Sequence, residues 1–320
     1  MTKEDREGYC ERISIIVPVF NERENIPLLS GEVEKIMISL NLDYELIFID
    51  DGSIDGSEGE VARLHQKNPR NKLISLSRNF GHQAALSAGL EFAGGDAVIM
   101  MDGDMQHPPE VIPELIKRWK EGFDIVYTIR EDTGDAGFFK KYSSVVFYWL
   151  INQMTRTPIP VGAADFRLLN RAVVKELRKF REQSRFLRGL VSWTGFRQTG
   201  ISYVAPPRSG GTSGYSLRKM ICFAMDGITS FSSFPLRIAT YMGLFVSGIS
   251  FVYGLYTVFI AFFSDKVISG WASLMVMVLF LGGVQLITLG IMGEYLGRIY
   301  DQVKERPLYV VQKKLGDFRE

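Results

Sequence analysis

Two stretches without a charged residue, Ile238 to Phe263 and Val267 to Gly293, set the tightest limit on what this chain can become. Each exceeds the roughly 20 apolar residues that cross a bilayer as a helix. Soluble helices rarely stay uncharged that long, and a buried hairpin made of this pair would have no polar face to turn to water. Two spans are therefore expected, joined by the short loop Ser264-Asp-Lys-Val-Ile-Ser-Gly270. Lys266 in that loop is outnumbered by Arg218, Lys219 and Arg237 before the first span and by Arg298, Lys304 and Arg306 after the second. The positive-inside rule then places both chain ends in the cytoplasm. Leu217 to Phe234 mixes Met, Phe and Ile with Arg218, Lys219 and Asp226, an amphipathic pattern that suits either the membrane interface or packing on a soluble domain.

Other features exclude function classes. The net charge of +1 and the lack of a Lys/Arg-dense run argue against a nucleic-acid partner. Cys10 and Cys222 cannot form a disulfide framework, so a reducing compartment is expected. Met1 to Glu11 is charged and lacks the apolar core of a signal peptide.

Before the spans, apolar runs alternate with helical patterns. Strands are expected at Arg12–Phe20, Glu45–Ile49, Lys72–Leu76, Ala97–Met101 and Asp124–Thr128, and a further one at Thr199–Val204. Helices are expected at about Asn25–Leu40, up to Lys67, at His82–Ala93, and from Pro108-Pro109 to Glu121. This alternation predicts an α/β domain with a mostly parallel, doubly wound sheet. No Gly-x-Gly-x-x-Gly follows the first strand, which disfavours a dinucleotide-binding unit and a membrane oxidoreductase. Val161 to Arg167 reads as a small-residue turn carrying Asp165, helices are expected near Arg171–Lys179 and Ser184–Thr194, and Tyr309-Val310-Val311 as a short terminal strand.

Polar residues gather after each early strand: Asn21 and Glu22, Asp50 and Asp51, Arg78 and Asn79, Asp102 and Asp104, and Arg130. Ligands of open α/β sheets bind past the carboxyl ends of the strands. Five polar strand ends on one edge therefore describe a ligand crevice. Within it, Asp102-Gly103-Asp104 offers two hard oxygen ligands suited to Mg2+ or Mn2+, and Gln106 a third.

Ser14-Ile-Ile-Val-Pro-Val-Phe-Asn-Glu22, Ile49-Asp-Asp-Gly-Ser53 with Asp55, Arg78-Asn-Phe-Gly81 and Met101-Asp-Gly-Asp-Met-Gln106, followed by two spans, resemble the polyprenyl-phosphate glycosyltransferases. These are a branch of the inverting GT-A enzymes of glycosyltransferase family 2. They include dolichol-phosphate mannose synthases and the bacterial bactoprenol glucosyl transferases of the GtrB type, which the two-span C-terminus resembles most. The resemblance implies a Rossmann-like GT-A domain over residues 1–215, a juxtamembrane segment at 216–236, spans at 237–263 and 271–293 around an external loop at 264–270, and a cytoplasmic tail at 294–320. It implies transfer of a hexose, glucose from UDP-glucose by this likeness, to undecaprenyl phosphate at the cell membrane. A homo-oligomer is compatible with it.

The same resemblance carries residue roles. Pro18, Asn21 and Glu22 line the nucleotide pocket, with Asp51 on the uracil or ribose and Asn79 beside them. Asp102, Asp104 and Gln106 hold the metal and diphosphate. Arg130, Lys140 and Ser144 match the acceptor-phosphate cluster, and Arg208 and Ser213 match a later phosphate loop, in which Gly214 replaces the usual lysine. Asp102, Asp104, Arg130 and Asp165 make up the catalytic set. Asp165 has the place of a base, yet a phosphate monoester, with a second pKa of about 6, is already mostly dianionic and needs none. Two alternatives use other features. A processive polysaccharide synthase would need a Gln-x-x-Arg-Trp motif, which Gln183-Ser-Arg185-Phe186 does not supply. A non-catalytic nucleotide-sugar scaffold would tolerate loss of the aspartate pair, which is intact.

Overall fold

The computed structural model describes residues 12–131, 162–183, 185–204, 234–263 and 270–318. The chain divides into two compact units, Met1–Met220 with Pro307–Glu320, and Ile221–Arg306.

In the first unit, β1 (Arg12–Val19), α1 (Asn25–Ser39), β2 (Asp43–Asp50), α2 (Ser57–Lys67), β3 (Asn71–Leu76), α3 (His82–Phe92) and β4 (Ala97–Met100) alternate as the apolar runs predict. Then come α4 (Ile112–Lys120), β5 (Ile125–Glu131), β6 (Ala163–Asn170), α5 (Arg171–Leu177), α6 (Leu187–Trp193) and β7 (Gln198–Val204). A final strand, β8 (Val311–Leu315), lies near the C-terminus. The sheet order is β7-β5-β6-β4-β1-β2-β3-β8. Pairings among β4, β1, β2 and β3, and between β5 and β7, are parallel, whereas β6 and β8 run antiparallel to their neighbours.

Helices cover both faces, which is why the strands read as unbroken apolar runs. Ile13, Ile15, Val17 and Val19 of β1 join Ile26, Leu29 and Val33 of α1 and Leu115 and Trp119 of α4 in one buried cluster. Ile16 turns to the opposite face, where α3 approaches so closely that a Cβ on Gly89 would sit 3.0 Å from the Ile16 Cβ. The helix expected to open at Pro108-Pro109 begins instead at Ile112. Pro108 is extended and Pro109–Val111 form a 3-10 turn, which carries the chain round before the α-helix starts.

The segment expected to be a small-residue turn is the start of β6, a strand in the middle of the sheet. Arg167 pairs with Met100 on one side and Tyr127 on the other. Its charged residues concealed it: Asp165 and Arg167 are buried, and each is neutralised by a partner rather than by solvent. Because β6 runs against β4 and β5, its N-terminal end lies beside their C-terminal ends, and Asp165 joins the crevice edge. The terminal strand also shifts, to Val311–Leu315, where Leu315 faces Leu73 and Lys313 faces Ser75 on β3. Tyr309, expected within it, instead donates its hydroxyl to Glu91.

In the second unit, α7 (Phe234–Phe263) and α8 (Trp271–Val303) pack against each other, and both are long and apolar enough to cross a membrane. Phe245, Phe251, Leu279 and Leu286 are between 68% and 72% exposed. Such faces need lipid around them rather than water.

Candidate active site

The C-terminal ends of β1 to β5 and the N-terminal end of β6 share one edge of the sheet. Near the end of β1, Pro18 is buried in register with Ile49, and past the strand Asn21 takes a left-handed φ of 57°. The Asn21 main-chain N–H donates to Ser53 Oγ at 2.9 Å, and its Oδ1 accepts the Ile54 N–H at 3.0 Å. The Glu22 N–H donates to Ser57 Oγ at 3.2 Å, and Asp55 accepts the Arg23 N–H at 3.1 Å. The loops after β1 and β2 are thus laced together.

Asp51, after β2, accepts the Phe80 N–H at 2.7 Å and the Gly81 N–H at 2.9 Å. Burial pushes its pKa above the usual carboxylate range despite those two bonds. The approach of the β2 and β3 loops depends on Gly52. Its φ is +74°, and a Cβ there would lie 2.7 Å from both Arg78 C and Asn79 N. Gly52→Ala is expected to cost about 2 kcal/mol or more, from a strained φ and a backbone clash together. A lowered thermal midpoint in detergent checks it; a variant as stable as wild type would show that the loops can part freely. Asn79 itself is exposed at this edge, beside an Arg78 guanidinium stacked 4.2 Å over the Phe80 ring.

The turn past β4 carries the acidic pair. Asp104 Oδ1 accepts the Gln106 N–H at 3.1 Å, closing a local side-chain turn. Met105 between them adopts φ 60°, a conformation that costs a side-chain-bearing residue about 1 kcal/mol. Such strain concentrates at functional sites. Gln106 Oε1 accepts from Arg130 Nη1 at 3.4 Å, so the exposed guanidinium at the end of β5 reaches the acidic turn.

Two histidines hold Asp102. His82, the first residue of α3, places Nε2 2.8 Å from Asp102 Oδ1. His107 Nδ1 accepts the Asp102 main-chain N–H at 2.9 Å. Partial desolvation disfavours charge on the half-exposed His82, but the hydrogen bond and charge of Asp102 outweigh it and raise its pKa. Burial opposes the Asp102 carboxylate too, yet His82 and His107 bring its pKa below the usual range. Burial dominates at His107 and lowers its pKa, which agrees with a neutral ring that accepts at Nδ1. That ring stacks on Phe166 with centroids 5.1 Å apart.

Asp165 is gripped by a fork: Arg188 Nε donates to Oδ1 at 2.7 Å and Nη2 to Oδ2 at 2.8 Å, while Arg167 Nη2 lies 3.7 Å away. Burial opposes its charge, but the two guanidinium groups, Arg188 first, hold its carboxyl far below the usual range. It is a locked ion-pair member, poorly suited to collect a proton. Lys140, Ser144, Arg208, Ser213 and Gly214 lie outside the described residues, as does the amphipathic stretch up to residue 233.

The sequence reading did not single out His82, His107 and Arg188. His107 stands five residues after Asp102 in one motif, a usable signal; His82 and Arg188 meet their partners only through the fold.

Two oxygen-bearing carboxylates and an amide carbonyl suit a hard divalent cation that also takes oxygens from a substrate diphosphate. Among the described residues no three His, Cys, Asp or Glu side chains converge into a closed metal cage.

Residues 14–178 match the family described as Glycosyl transferase family 2, and residues 234–299 match the GtrB C-terminal hairpin. The chain is 43% identical over 302 residues to the SfII prophage-derived bactoprenol glucosyl transferase of Shigella flexneri, covering 94% of this chain and 98% of that one. It is 45% identical over 304 residues to the uncharacterized glycosyltransferase YkcC of Bacillus subtilis, covering 95% and 94%. Among solved structures, glucosyl-3-phosphoglycerate synthase from Mycobacterium tuberculosis in complex with Mn2+, UDP-glucose and phosphoglyceric acid aligns with a TM-score of 0.46 at 17% identity, over 72% of this chain and 80% of that one.

Proposed function

The chain belongs to glycosyltransferase family 2, and on that footing we propose that it moves a hexose, glucose by preference, from UDP-glucose to a membrane polyprenyl phosphate, undecaprenyl phosphate in the simplest case, with inversion at the anomeric carbon. The observation that carries this reading is near-full-length identity of 43% to a bactoprenol glucosyl transferase, with the hairpin included. The crevice chemistry supports it independently.

Asn21, Glu22, Asp51 and Asn79 line the strand ends where the nucleoside would lie, with Asp51 turned to accept donors from the β3 loop. Asp102, Asp104 and Gln106 would hold Mg2+ or Mn2+ with the diphosphate. That cation would neutralise charge building on the departing nucleoside diphosphate. The attacking group is the lipid phosphate oxygen; the bond formed joins it to the anomeric carbon as the bond to the β-phosphate oxygen breaks. No proton need be removed from a dianionic acceptor, which accords with Asp165 being committed to Arg188. The acceptor does need its charge balanced as it nears the diphosphate, and Arg130, which reaches Gln106, would supply that. Lys140, Ser144, Arg208 and Ser213 are proposed to extend the same anion site. The two apolar helices would lie in the cell membrane, with both chain ends and the catalytic domain in the cytoplasm.

Radiolabelled donor sugar should enter an organic-extractable, acid-labile lipid when the protein is supplied with undecaprenyl phosphate, and EDTA should stop it. A labelled water-soluble polymer, or no transfer from any donor in a nucleotide-sugar panel, would overturn the reading. Arg130→Ala should lower kcat/KM for the acceptor by about 10- to 100-fold, the worth of one charge-assisted contact of roughly 1.5–3 kcal/mol. Calorimetric affinity for UDP should hold; its loss would move Arg130 to the donor side.

A further inference from the structure

We propose that His82 is a positioning residue of the donor site: its Nε2–H fixes one oxygen of Asp102 so that the other is presented to the cation that would hold the diphosphate. This inference rests on the donor-site reading above.

The argument is one of donors and acceptors. An ionised carboxylate can only accept, so the 2.8 Å contact between His82 Nε2 and Asp102 Oδ1 requires the proton on Nε2. At His107 the roles reverse. The Asp102 main-chain N–H points at Nδ1 from 2.9 Å, so that nitrogen carries a lone pair. The 3.5 Å approach of His107 Nδ1 to Asp102 Oδ2 then brings together two acceptors and is not a bond. One histidine fixes the backbone of Asp102, the other fixes Oδ1, and Oδ2 is left to serve a ligand.

His82 is itself anchored. The next residue, Gln83, accepts the Leu187 N–H on its Oε1 at 3.0 Å, tying the first turn of α3 to the start of α6. The His82 side chain remains 42% exposed, so replacing it removes little core packing. Partners that orient a ligating group in this way are typically worth 10- to 100-fold in metal affinity.

The test is Mn2+ titration of the full-length protein in detergent at saturating UDP, read by calorimetry or by the Mn2+ resonance signal. His82→Leu should weaken Mn2+ uptake about 10- to 100-fold. His82→Gln, whose amide can donate from nearly the same place, should stay within about threefold of wild type. UDP binding in EDTA should be equal in all three, which also confirms that the variants are folded. Unchanged Mn2+ affinity in His82→Leu, an equal loss in both variants, or a parallel loss of metal-free UDP binding would each overturn the proposal while leaving the transferase reading intact. A wild-type protein that takes up no Mn2+ with UDP would overturn both.

Discussion

Asp104→Ala is expected to reduce hexose transfer by about 100- to 1000-fold or more, the range seen when one preorganised contact to developing negative charge is removed. The turn geometry explains why the loss is so large. Asp104 sits beside Met105, whose φ of 60° is held by the bond from the Gln106 N–H to Asp104 Oδ1. Alanine removes the proposed ligand oxygen and the bond that keeps the turn strained. Asp104→Asn keeps an acceptor for the Gln106 N–H but loses the charge. It should restore the local turn and little of the rate, so the two variants separate architecture from electrostatics. Transfer of radiolabel to extractable lipid gives the rate, and Mn2+ titration with UDP gives the ligand role. Full turnover in Asp104→Ala would exclude it as a cation ligand, and a rate restored by Asn would make its part structural.

Arg188→Leu should cost about 3 kcal/mol of stability, the lower end for breaking a buried ion pair from one side. The variant strands a carboxylate at a residue 8% exposed, leaving, among the described residues, Arg167 Nη2 at 3.7 Å and the weaker influence of His82. The sign with pH follows from the lowered pKa of Asp165. In the wild type its contribution is complete above the unfolded carboxylate value of about 3.9 and is lost as pH falls through the lower folded value. In the variant, burial without the fork raises the folded pKa, so protonation relieves the penalty on acidification. The gap between the two proteins should be widest above about pH 5 and shrink toward pH 4. Thermal midpoints across that window provide the check; a gap that ignores pH would mean the lost stability is packing rather than charge.

These expectations draw unequally on the sequence. β1 to β4 were legible because each is an apolar run stopped by polar turn residues, and their shared direction follows from the helices between them. The gathering of polar residues at one sheet edge was legible for the same reason: Asn21, Asp51, Asp102 and Arg130 each stand at or just past a strand end. β6 was not, because burial of Asp165 and Arg167 depends on Arg188, which lies some twenty residues further along the chain and is invisible to local pattern. His82 escaped notice for a related reason. A single histidine after a glycine carries no signal until α3 brings it within 2.8 Å of Asp102. β8 has three consecutive exposed polar residues, Gln312, Lys313 and Lys314, which erase any alternation. The two apolar helices were plain from the charge gaps alone, though α8 continues to Val303 through charged residues that the gap excludes.

β8 has a consequence for how the protein is made. It pairs with β3, yet it follows both apolar helices in the chain. During synthesis β3 must therefore wait as an unpaired rim until the residues after α8 are made, and Val311–Leu315 then seal it. The buried Lys72 beside that rim, bonded to Glu45 and then to the Asp317 carbonyl, becomes fully enclosed at that final moment. A chain cut short before β8 would therefore leave the backbone groups of β3 unpaired along that side, an open edge ready to pair with a strand of another molecule.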